Sequence, residues 1–176
     1  MNPAELLRAL HQDEDFQHWQ NEHPKCYLSH FFNLLDEKQE LVQEWQIGYY
    51  DSTSDTITTF ISKIGGFEIQ GNQQIFKKEQ DSIEPLDIKN ADFTFAQAIE
   101  LCRKNFSSLF LPEITGEGFI ILQQLQGKTL WNVTCISKSV KFLNIKIDAT
   151  TGEIDSHQKI SMMEKGPKGV KLEQKS

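Results

Sequence analysis

Four residues near the start of the chain are of types that bind metals: His18, His23, Cys26 and His30. Imidazole and thiolate are the usual zinc donors, but structural zinc sites repeat them at short, regular spacings. Here the steps are five, three and four residues, with no Cys-x-x-Cys. The sequence therefore assigns no metal ligand and no cofactor. The carboxylates are equally unpaired. Asp13-Glu14-Asp15 suits a solvated helix face or loop. Asp148 and Glu153 flank a glycine turn, where Asp148 can accept from turn amides without any catalytic duty. Cys102 falls on the apolar stripe of a helix, where burial raises a thiol's pKa and makes it a poor nucleophile. No serine sits in a Gly-x-Ser-x-Gly elbow, and no glycine-rich phosphate loop occurs. No catalytic residue is assigned, and the balance leans away from an enzyme.

Aromatic side chains offer a different chemistry, that of contact. Tyr27, Phe31, Phe32, Trp45, Tyr49, Tyr50 and Phe60 crowd the first half. Core packing is the first reading of these rings; the alternative is that, because strands point alternate side chains to opposite faces, some of them lie on a partly exposed sheet face away from the helices that grips a partner. Trp and Tyr supply much contact area at low entropic cost. The candidate binding residues are Trp45, Tyr49, Trp131 and Asn132.

The elements that would position them follow from periodicity. Asn2 and Pro3 open a first helix, which the acidic patch at 13–15 interrupts or restarts and His23-Pro24 ends. Cys26–Leu35, the stretch from Trp45 to Tyr50 and that from Ile57 to Ile61 read as strands. Phe67–Lys78 reads as a hairpin around Gly71-Asn72. Thr94 and Gln97 have capping-box spacing, and Phe95, Ala98, Ile99, Cys102 and Phe106 form one helical stripe. Strands are expected at Phe119–Leu125, Leu130–Ile136 and Phe142–Ile147, then a turn with positive φ at Gly152. Ile154–Ile160 is a possible edge strand.

An offset of 86 residues superposes Trp45 on Trp131, Ile47 on Val133, Ile57 on Leu143, Ile61 on Ile147 and Gly66 on Gly152. A four-residue gap upstream brings Phe31, Phe32 and Leu35 onto Ile121, Leu122 and Leu125. The expected fold is α+β: two αβββ repeats forming one antiparallel sheet with two helices on one face. Residues 1–78 are the first repeat, 79–92 a connector, 93–160 the second repeat and 161–176 a basic, flexible tail.

Leu143–Ile154 (LNIKIDATTGEI) resembles the end of a PepSY domain, where a strand runs into Asp-Ala-x-Thr-Gly-Glu. Trp131-Asn132-Val133 resembles the strand before it, and Phe95–Leu101 (FAQAIEL) the family's opening helix. The resemblance covers residues 92–160; the first half is similar in layout alone. It implies a tandem PepSY-like protein built of cystatin-like α+β units. Such units bind, restrain or inhibit another protein, often a peptidase, and carry no chemistry of their own.

Composition narrows the partners. The chain has 176 residues and a formal net charge of −7, which disfavours phosphate backbones. Its basic residues gather only at the end, with five lysines against two glutamates over 159–176. No apolar run reaches the ~18 residues that would span a bilayer, and the first residues lack the features of a signal peptide. Three widely spaced cysteines suit a reducing compartment. The expectation is a cytoplasmic binding module for a protein or peptide, regulatory or inhibitory, a monomer or homodimer, without nucleic-acid or membrane partners. Two alternatives stand beside it. One is a small cystatin-like enzyme with His30 or Asp148 in a pocket between sheet and helix. The other is an acidic export chaperone.

Overall fold

The computed structural model describes residues 3–74, 82–89 and 91–161, with side chains of 72–74 outside the description. Asn2 and residues 162–176 of the expected tail lie outside it as well. Among the described residues the protein is α+β. Three helices accompany an eight-stranded antiparallel sheet.

The first helical region is two helices, α1 (Pro3–Gln12) and α2 (Glu14–Glu22). Asp13 separates them. Its backbone is extended, and its carboxylate accepts from the Phe16 amide at 3.0 Å, so it caps α2. A short acceptor side chain is better used capping a helix than inside one. The third helix, α3 (Phe95–Leu109), carries the expected capping box. Gln97 N–H donates to the Thr94 hydroxyl at 3.4 Å, and Thr94 N–H donates to the Gln97 side chain at 2.8 Å.

The strands are β1 (Tyr27–Leu35), β2 (Gln46–Asp51), β3 (Thr56–Lys63), β4 (Gly66–Gln74), β5 (Thr115–Leu125), β6 (Lys128–Ser137), β7 (Lys141–Asp148) and β8 (Ile154–Ser161). Their order across the sheet is β4-β3-β2-β1-β5-β6-β7-β8, so β1 and β5 meet at the centre and β4 and β8 form the edges. Gly71 is not at a hairpin turn; the turn between β3 and β4 falls at Ile64-Gly65. Gly71 lies inside β4, where the pairing with β3 slips by one residue between Ile57 and Thr59. Glycine inside a strand often marks such a bulge. Residues 75–78 of the expected hairpin lie outside the described residues.

One row of side chains crosses the sheet through Phe60, Ile47, Phe31, Leu122, Trp131 and Ile147. All six are buried. The helices supply partners for this row. Phe16 and Trp19 of α2 set their rings 5.0 and 4.9 Å from Phe60. Phe95 of α3 meets Trp45 at 5.6 Å and Trp131 at 6.3 Å.

Within the offset of 86, Trp45 and Trp131, and Ile47 and Val133, share the core face, but β3 and β7 do not match. Thr58 and Phe60 carry the core face of β3, opposite Tyr49 and Ile47, whereas Ile57 and Ile61 point to the other face. Leu143 and Ile145 carry the core face of β7, opposite Cys135 and Val133. Facing positions therefore correspond at an offset of 85 in these strands. One residue of slip turns every side chain over. The same error occurs upstream, where Phe31 shares its face with Ile120 and Leu122 rather than with Ile121.

Candidate functional site

Three of the four expected contact residues belong to the core. Trp45 is 7% exposed, Tyr49 3% and Trp131 1%. Their rings stand among Phe16, Trp19, Phe60 and Phe95. Trp45 and Trp131 lie 6.3 Å apart across the centre of the molecule. Alternation had two solutions for these strands, and apolar pressure selected the inward one for the largest rings. Burial raises the pKa of the Tyr49 hydroxyl, which meets His11 Nε2 at 3.1 Å. These side chains leave little surface to a partner.

Asn132 lies on the opposite face. Its row runs from Phe32 through Ile121 and Asn132 to Lys146 and Ser156. The next row is Leu34, Phe119, Thr134, Asn144 and Gln158. Together they floor a depression of about 350 Å³, rimmed by Phe119, Leu125, Phe142 and Ile160. Phe32 stacks on Phe119 with centroids 6.0 Å apart, which extends the apolar rim onto β1. Leu34 and Ile136 are more than a third exposed on the same face.

A polar cluster fixes the floor. Asn144 Nδ2 donates to Asn132 Oδ1 at 2.5 Å and to Thr134 Oγ1 at 2.8 Å, with Val133 O at 3.2 Å. Asn132 thus uses its oxygen within the protein and keeps its Nδ2 hydrogens as donors at the mouth of the depression. Asn144, Phe119 and Phe142 escaped the sequence reading. The signal was there: Leu143, Ile145 and Ile147 face the core, so Phe142, Asn144 and Lys146 must face away, and asparagine is rare inside strands.

The candidate metal ligands scatter. His18 is exposed on α2 and pairs with Glu22 at 3.6 Å. His23 stacks on Trp19 and its Nδ1 contacts the Trp19 carbonyl at 2.8 Å. Among the described residues no three His, Cys, Asp or Glu side chains are placed to hold one ion. Asp148 accepts from the Thr150 and Thr151 amides at 2.8 and 3.0 Å, as turn chemistry requires. Cys102 and Cys135 are buried, and burial pushes both thiols up to about 12. A thiol protonated at neutral pH is a poor nucleophile.

Among the described residues no helix is long and apolar enough to cross a membrane. No family model matches the chain. No curated protein matches it. Among solved structures it is similar to one described as a candidate lipoprotein of Clostridium difficile 630. That likeness has 13% sequence identity and a TM-score of 0.49, and it covers 83% of this chain and 90% of that one.

Proposed function

We propose that this protein is a non-catalytic binding module that takes an extended protein or peptide segment on the sheet face around Asn132, in the manner of a tandem PepSY-like protein. The observation that carries the reading is the composition of that face. Half-buried Phe119, Phe142 and Ile160 ring a depression whose floor offers amide groups. Apolar rings with a few fixed polar groups suit a polypeptide, whose side chains alternate with hydrogen-bonding backbone. Lys146 is the one cation among the residues that line it, and the chain is acidic, so a phosphate backbone finds little to hold it.

A duplicated scaffold is supported by the element order, though not as the expected αβββ units: the first half has two helices and the second has one, each followed by four antiparallel strands, and the halves join through β1 and β5. In this reading the units divide within the connector 79–92. The contact surface then belongs mainly to the second unit, where the PepSY-like residues lie.

Panning a library of random peptides against the full chain tests the proposal. A Phe119→Lys/Phe142→Lys double variant serves for counter-selection. Recovered peptides should alternate aromatic or aliphatic residues with polar ones, bind the natural chain and ignore the double variant. Asn132→Ala should weaken them about fivefold, the loss of one hydrogen bond. Peptides that bind both chains equally, or no enrichment at all, would overturn the reading.

A further inference from the structure

A second cavity lies on the same sheet face, near the other end of β1. It holds about 380 Å³ and is walled by Ser29 and His30 of β1, Ile57 of β3, Ile121 and Leu125 of β5, and Ile83 of the connector. Its construction is specific. β1 carries a bulge at Ser29, between Leu28 opposite Tyr49 and His30 opposite Gly48. The extra residue turns His30 onto the face away from the buried aromatic row. Gly48 then makes room for the ring: a Cβ there would stand 2.1 Å from His30 Cε1. Any side chain at this position would have to displace the imidazole.

Hydrogen bonding fixes which nitrogen carries the proton. Ser29, 3% exposed, donates its hydroxyl to the Gly48 carbonyl at 3.0 Å. A carbonyl only accepts, so the single hydroxyl hydrogen is used there. His30 Nδ1 lies 2.9 Å from the Ser29 hydroxyl oxygen, whose hydrogen is already given to Gly48, and so donates to it. In the neutral ring Nε2 is then a bare acceptor. Burial favours the neutral ring, pushing the imidazole pKa down to about 4. No protein group among the described residues bonds Nε2.

Two of the neighbouring polar groups are already engaged. Glu84 turns its carboxylate to the amides of Gln126 and Gly127 at 2.7 and 2.9 Å. The Gln124 side-chain oxygen accepts from Thr129 at 2.8 Å. The cavity thus combines four aliphatic walls with the His30 imidazole, and the neutral polar side chains of Ser82, Gln123 and Gln124 complete its lining. We propose that it is a binding site for a small neutral molecule with an apolar ring or chain and one O–H or N–H donor, which hydrogen-bonds to His30 Nε2. The cavity shares Leu125 with the rim of the depression around Asn132, but neither Ser29 nor His30 lines that depression.

The test uses the full chain labelled with ¹⁵N at histidine, and cyclohexanol with its methyl ether, methoxycyclohexane, as the probes. Long-range ¹H–¹⁵N spectra at neutral pH should show His30 as the Nδ1–H form. Cyclohexanol at millimolar concentration should move the His30 Nε2 resonance upfield, toward the hydrogen-bonded range. Methoxycyclohexane has the same body and no donor, and should bind about tenfold more weakly. Ser29→Ala removes the oxygen that fixes the tautomer and should lower cyclohexanol affinity several-fold while the far-ultraviolet spectrum stays unchanged. An Nε2–H form in the natural chain, equal binding of alcohol and ether, or an unmoved Nε2 resonance would each overturn the proposal.

Discussion

The indole Nε1 of Trp131 donates to the backbone carbonyl of Phe93 at 2.6 Å, tying β6 to the residue just before the α3 cap. Phe93 N–H in turn donates to the Ala149 carbonyl at 2.8 Å, and its ring covers Gly152. One tryptophan thus links helix entry, β6 and the turn after β7. Trp131→Phe keeps most of the apolar volume but leaves the Phe93 carbonyl without its donor. The expected loss is about 2–3 kcal/mol, combining the orphaned acceptor with a small cavity. Urea unfolding followed by circular dichroism measures it.

His30 sets a pH dependence. Its folded pKa of about 4 lies below the ordinary value of 6.5 because burial disfavours the charged ring. The unfolded chain therefore takes up the proton first. Stability from this group is complete above pH 6.5 and declines as pH falls toward 4. His11, also lowered by burial, adds in the same direction. Between about pH 7.5 and pH 5 the His30 contribution should fall by about 2 kcal/mol. His30→Gln should flatten that part of the curve, and an unchanged slope would show that the ring is not held neutral.

Glu113 acts in a lower window. Lys141 Nζ donates to its carboxylate at 2.6 Å and the Ser139 hydroxyl also donates to it, with Lys159 at 3.9 Å. These bonds, led by that from Lys141, hold its pKa down to about 2, below the ordinary 4.5. The contribution is complete above pH 4.5 and is lost as pH falls toward 2. Lys141→Met should raise the acid-unfolding midpoint and leave the limb between pH 5 and 7 unchanged.

What the sequence made legible was local. Thr94 and Gln97 are three residues apart and form their box, Asp148 caps its turn, and Gly152 takes a φ of +77°. Each is settled by neighbours a few positions away. The face of a strand is a different kind of fact. In β3 both Thr58/Phe60 and Ile57/Ile61 give plausible apolar rows, and only pairing with β2 chooses between them. Trp45, Tyr49 and Trp131 turned inward for the same reason: α2 and α3 bring Phe16, Trp19 and Phe95 to meet them, and nothing local specifies that. The His30 cavity needed still more. It arises from a bulge at Ser29 and a glycine 18 residues after His30, brought together only by the β1–β2 pairing.

Two glycines separate close packing from conformational freedom. At Gly118 a Cβ would lie 2.1 Å from the Thr134 carbonyl oxygen and 2.9 Å from Cys135 Cα, both backbone atoms of β6. Backbone in the middle of a sheet cannot swing aside as a side chain can, so β5 and β6 would have to separate. At Gly71 nothing among the described residues lies within 4 Å of the added carbon, and its φ is outside the left-handed region. Gly118→Ala should therefore destabilise by about 3 kcal/mol, toward the upper end of overpacking costs. Gly71→Ala should be neutral or stabilising by a few tenths of a kcal/mol, because it restricts the unfolded chain at no steric cost. Paired thermal melts of the two variants decide the matter. Similar losses at both positions would mean that β5 and β6 are not in this register at Gly118, and with it would go the floor of the Asn132 depression, which depends on the same pairing.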